Sequence, residues 1–98
     1  MPCSFTREAA RDLIGIYLYG FENFGEEQAE HYFFGLTDCF DLLTRHPHSC
    51  RERTEFNPPV RIHHHNRHLI VYTLTDKGVL VVRVLHDSRD VPRHLSRD

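Results

Sequence analysis

The chain is poor in lysine and cysteine and has no long apolar run, and each shortage removes a class of protein. Lys77 is the one lysine among twelve basic residues. Its cationic surface is therefore arginine, whose planar fork suits bidentate contacts, although GC-rich coding favours the same bias. The three cysteines, Cys3, Cys39 and Cys50, are odd in number and follow no metal-ligand spacing. That pattern excludes a disulfide framework and predicts reduced thiols in a cytoplasmic protein. No apolar stretch approaches the roughly 20 residues a membrane helix needs, and the N-terminus lacks a signal peptide's apolar core. Internal repeats and low-complexity segments are missing too. So is a large positive charge: the net charge is −2 and the pI about 6.5. This argues against a protein that coats nucleic acid.

What is present fits one domain over residues 1–98, with enough chain for one modest core. Its charge is unevenly divided. Residues 1–44 balance to −6, whereas residues 45–98 balance to +4. Such asymmetry predicts a polarised molecule that docks with its basic end.

Periodicity orders the elements. A short strand is predicted up to Phe5, followed by Thr6 as a helix N-cap with Glu8 in the first turn. Ala10, Leu13, Ile14, Tyr17, Phe21 and Phe24 recur at helical spacing and define the expected core face of the first helix. Gly25 breaks it. A second helix carries Ala29, Tyr32, Phe33, Leu36, Phe40 and Leu43 and stops before Pro47, since a residue preceding proline disfavours helix. Together they predict a helical hairpin over about 6–45, followed by a loop over 46–59. Strands are predicted over 60–65, 69–74 and 79–85, with a turn at Asp76-Lys77-Gly78 and a basic tail over 87–98. The fold class is α+β, in the order β-α-α-β-β-β, with the hairpin packed on one face of a mostly antiparallel sheet.

Three groups of residues invite a functional reading. The run Val79 to Leu85 is almost continuously apolar, as in a buried central strand, and it delivers Arg83, His86, Arg89, Arg93 and His94 to one end of the molecule. If Val82 and Val84 share a face, Arg83 projects to the other. It then either contacts a target or pairs with Asp87, Asp90 or a helix carboxylate and fastens the tail. His63-His64-His65-Asn66-Arg67-His68 suggests a metal site, because His63 and His65 share a strand face. No third ligand stands at suitable spacing, so a solvated strand and turn is expected and no metal site. Finally, Ile16, Leu18, Tyr19, Phe34 and Leu42 exceed the apolar face a helical hairpin requires. They form either scattered surface residues, a groove for a partner's amphipathic helix, or a face for a second copy.

The chain resembles the ParE branch of the RelE/ParE superfamily, the toxin halves of bacterial type II toxin–antitoxin pairs. The resemblance is carried by Ala9-Ala10-Arg11-Asp12-Leu13, Gly25, His46-Pro47, His68-Leu69-Ile70-Val71-Tyr72, Arg83-Val84-Leu85-His86 and Asp90-Val91-Pro92-Arg93-His94-Leu95. It implies a toxin that poisons DNA gyrase without known catalysis, through the basic cluster Arg83, His86, Arg89, Arg93 and His94. It implies a ParD-like antitoxin seated on Ile16, Leu18, Tyr19, Phe34 and Leu42. Neither a cofactor nor sequence-specific nucleic-acid binding by this chain alone is implied. The alternative within the same superfamily is a ribosome-dependent messenger RNA endonuclease. Such nucleases look densely Lys/Arg-rich, unlike this net acidic chain, and Tyr72 lies inside an apolar strand where a core role is expected.

Overall fold

The computed structural model of the chain describes residues 3–88 and residue 91. Six elements follow in the order β1 (Cys3–Phe5), α1 (Arg7–Phe24), α2 (Glu26–Arg45), β2 (Arg61–His65), β3 (His68–Thr75) and β4 (Gly78–His86). The strands form one sheet in the order β1-β4-β3-β2. β1 runs parallel to β4, and the other two pairings are antiparallel. The almost continuous apolar run of β4 thus occupies an interior position, with a neighbour on each side.

Thr6 explains where α1 begins and how it is attached. Its hydroxyl accepts from the Ala9 N–H at 3.1 Å and donates to the Val82 carbonyl at 2.6 Å, while its own N–H donates to the Val81 carbonyl at 3.0 Å. One residue therefore caps the helix and pins it to the central strand. Gly25 ends the helix at φ 92° and ψ 168°, a conformation that side chains other than hydrogen strain to adopt. α2 continues from there to Arg45, and the His46 N–H closes it on the Leu42 carbonyl at 2.9 Å before Pro47.

The hairpin covers one sheet face. Leu36, Phe40 and Leu43 of α2 pack there with Ile70, Tyr72, Val79, Val81 and Val84. The opposite face carries a smaller cluster of Val60, Val71 and Leu85, against which Phe56, Ile62, Val82 and Val91 pack.

Two expectations are corrected here. The core face of α1 is not the one richest in apolar residues. Ala9 is fully buried, and Leu13 and Ile16 pack on the core, whereas Ile14, Phe21 and Phe24 are 60 %, 48 % and 66 % exposed and Ala10 is also on the surface. The helix turns its small residues inward to approach closely: a side chain on Gly20 would meet the Ala29 Cβ at 3.4 Å. Val82 and Val84, expected on one face, lie on opposite faces. The register explains this. Val71 pairs with Arg83 but Tyr72 pairs with Val81, so Val82 is an extra residue in β4. Such a bulge shifts the alternation of every side chain beyond it.

Candidate partner-binding groove

The Arg83 side chain reaches across to α1, where Nε and Nη2 donate to the Asp12 carboxylate at 2.8 and 3.1 Å. The same carboxylate accepts the Val84 N–H at 3.0 Å. Asp12 thus closes a fork across α1 and β4, and its hydrogen bonds hold the Arg83 guanidinium above its ordinary pKa. Asp12 sits one helical turn before Ile16, on the flank of α1 that faces the end of β4. Arg83 therefore fastens the hairpin to the sheet.

His86 is exposed at the exit of β4. Its Nδ1 accepts from the Ser88 N–H at 3.2 Å, and its ring meets His68 edge-on at 5.5 Å between centroids. His68 is half-buried and, chiefly through burial and then through the neighbouring His86 charge, its pKa falls to about 4. It is therefore neutral near pH 7. Tyr32, whose phenol is pushed up by burial, keeps its proton, and its hydroxyl lies 2.6 Å from His68 Nδ1. With the hydroxyl as donor, the imidazole proton of His68 sits on Nε2. Arg89, Arg93 and His94, the remainder of the predicted basic cluster, lie outside the described residues.

Between this strand end and the hairpin runs a groove of about 960 Å³. Its apolar lining comes from Ile16, Tyr19 and Phe24 of α1 and Tyr32 of α2, and its polar lining from Arg11, Arg67, His68 and His86. Gly15 and Gly20 line the α1 side, where a side chain would narrow the channel. The outward surface of α2 is acidic, with Glu26, Glu27, Glu30, Asp38 and Asp41 all exposed.

The five surplus apolar residues do not form one surface. Tyr19 is 63 % exposed in the groove, where Ile16 reaches from a half-buried position against the core. Leu18 stands on another flank of α1 beside Ile14, Tyr17 and Phe33. Phe34 and Leu42 are exposed on α2. Sequence reading missed Ile14, Phe21 and Phe24 as surface residues, because it assigned them to the core. The signal that would have found them is the small-residue series Ala9, Gly20 and Ala29, which marks where the helices and sheet approach.

The histidine run alternates as a strand should, and the chain folds cysteines against it. His65 Nδ1 lies 3.2 Å from the Cys39 Sγ, and His63 Nδ1 lies 3.8 Å from the Cys50 Sγ. Burial raises the Cys39 thiol, which therefore stays protonated and points at the imidazole. His64 faces the other way, 3.4 Å from Asp87. These are separate pairs: among the described residues no group of three or more His, Cys, Asp or Glu is placed to hold a metal ion. Tyr72 is fully buried and donates to the Pro47 carbonyl at 3.2 Å; burial, first among several causes, pushes its phenol up to about 12.

The model of a family described as the ParE toxin of the type II toxin–antitoxin system parDE matches residues 3–91. Two curated relatives, each named Toxin ParE1, come from Mycobacterium tuberculosis strains CDC 1551/Oshkosh and ATCC 25618/H37Rv. Each is 34 % identical over 76 residues, covering 76 % of this chain and 78 % of the relative. A solved structure described as the chromosomal ParDE TA system from P. aeruginosa contains a chain with the same fold. It aligns at a TM-score of 0.74 and 22 % identity, over 88 % of this chain and 95 % of that one. None of the helices in the described residues is long and apolar enough to cross a membrane.

Proposed function

The chain belongs to the ParE toxin family of type II toxin–antitoxin systems, and on that premise we propose that it inhibits DNA gyrase and is neutralised by a ParD-like antitoxin. The antitoxin lays an amphipathic helix into the groove between the hairpin and the end of β4. The observation that carries this reading is the exposure of Tyr19 and Phe24 beside half-buried Ile16, along a channel whose α1 wall is cleared by Gly15 and Gly20. Large apolar side chains left in a concave surface lower the free energy of a partner that covers them. The acidic outer face of α2 favours basic residues flanking that helix.

Gyrase is engaged at the basic end of that groove, where β4 presents His86 and the sequence continues to Arg89, Arg93 and His94. Arg83 acts there as the positioning residue, since its guanidinium is occupied by Asp12. Inhibition proceeds by occupancy of the target and uses no catalytic group of this chain. The setting is the bacterial cytoplasm, where gyrase resides.

The experiment is expression in a gyrase-sensitive bacterial host. The chain alone arrests growth and induces the DNA-damage response, and co-expression of a ParD-like antitoxin restores growth. Tyr19→Glu, which places a charge in the groove, keeps toxicity but escapes the antitoxin. Neutralisation of Tyr19→Glu as efficient as that of the parent would contradict the groove assignment.

A further inference from the structure

α1 carries a second apolar surface that the groove does not use. Ile14, Leu18 and Phe21 are 60 %, 52 % and 48 % exposed. With Leu13, Tyr17 and Phe33 they border a shallow hollow on the outer side of the hairpin. At 3.6 residues per turn, Phe21, Ile14, Leu18, Arg11 and Glu22 fall within an arc of about 100°, roughly opposite buried Ala9. Arg11 and Glu22 are both exposed. The stripe is therefore ordered along the helix as a cation, an apolar centre and an anion.

That order constrains what can cover it. A uniformly basic or acidic partner helix would satisfy one end and oppose the other. A second copy of α1 running antiparallel satisfies both, because a two-fold axis makes any such polar stripe complementary to itself. We propose that this outer face of α1 is the interface of a homodimer. With the axis at the level of Ile16, Ile14 faces Leu18 of the second copy. Arg11 then lies level with Phe21 of the second copy and within about 1.5 Å, along the axis, of its Glu22. Each dimer contains this contact twice; Arg11 stands at the rim shared with the groove, whose wall of Ile16, Tyr19 and Phe24 stays outside the contact.

The interface is small. One helix pair covers less than the ~800 Å² per partner of a standard complex, so a weak, concentration-dependent dimer is expected. Sedimentation velocity of the full 98-residue chain from about 5 to 500 µM tests this. A reversible monomer–dimer equilibrium is expected. Arg11→Glu and Glu22→Arg each shift the dissociation constant upward at least tenfold, while the double variant R11E/E22R returns to within about threefold of the parent. A folded chain that stays monomeric throughout overturns the proposal. So does a dimer indifferent to the single reversals, or a double variant that is not rescued. The measurement uses neither antitoxin nor gyrase, so its failure leaves the proposed function standing and the reverse also holds.

Discussion

Asp12 of α1 grips Arg83 of β4 with both carboxylate oxygens and takes the Val84 N–H as well, joining residues 71 positions apart at the point where β4 leaves the core. Charge-assisted hydrogen bonds of this kind contribute about 1.5–3 kcal/mol when they are partly shielded from water. Asp12→Ala is expected to lower stability by about 2–3 kcal/mol, leaving both the guanidinium and the Val84 N–H without their acceptor. Arg83→Lys keeps the charge but loses the fork, and should cost about half as much. Urea unfolding followed by circular dichroism reads both.

His68 makes stability depend on acidity. Its folded pKa, about 4, lies below the ordinary value of 6.5, so the unfolded chain binds a proton that the folded chain refuses. Its contribution is therefore complete above pH 6.5 and is lost as the pH falls toward 4. His63, also lowered chiefly by burial, adds to the same slope. Because His68 is only half-buried, its share is about 1–2 kcal/mol after allowance for solvent screening. His68→Gln should flatten the pH dependence of the urea midpoint between pH 6.5 and 4 by that amount. An unchanged slope would contradict the assignment of His68 as the buried neutral ring.

Tyr32 supports that neutral state from the other side. Removing its hydroxyl in Tyr32→Phe deletes the 2.6 Å hydrogen bond to Nδ1 and should raise the His68 pKa, since the bond favours the unprotonated nitrogen. An NMR titration of the imidazole protons follows the shift directly. Stability near pH 7 should fall by about 1 kcal/mol.

Gly25 carries the hairpin turn at φ 92° and ψ 168°. Open space surrounds the position, so Gly25→Ala meets no clash and the cost is backbone strain alone. A loss of about 1–3 kcal/mol with unchanged helix content is expected. A neutral effect would mean that the turn relaxes to another conformation.

The sequence made some of this legible and hid the rest for identifiable reasons. Thr6, Gly25 and Pro47 punctuate the chain by local chemistry, and the two helices fall between them as expected. β3 and β4 announced themselves by β-branched composition and the Asp76-Lys77-Gly78 turn. The face of α1 was misread because periodicity weighs apolar bulk, whereas Ala9 and Gly20 are inside for being small. The separation of Val82 from Val84 was hidden because a bulge has no signature in a run of valines, whereas the pairing of Arg83 with a helix carboxylate was one of the two roles its position offered. Contacts such as Asp12–Arg83 and Cys39–His65 join residues far apart in sequence, so no local pattern announces them.

The most direct measurement of the central claim is a purified gyrase assay with this chain, ATP and supercoiled plasmid, with messenger RNA integrity followed in parallel. The account predicts linear, gyrase-linked DNA and intact message, with the DNA signal suppressed when a ParD-like antitoxin is added. Gyrase activity unaffected by the folded chain, together with cut message on ribosomes, would contradict it.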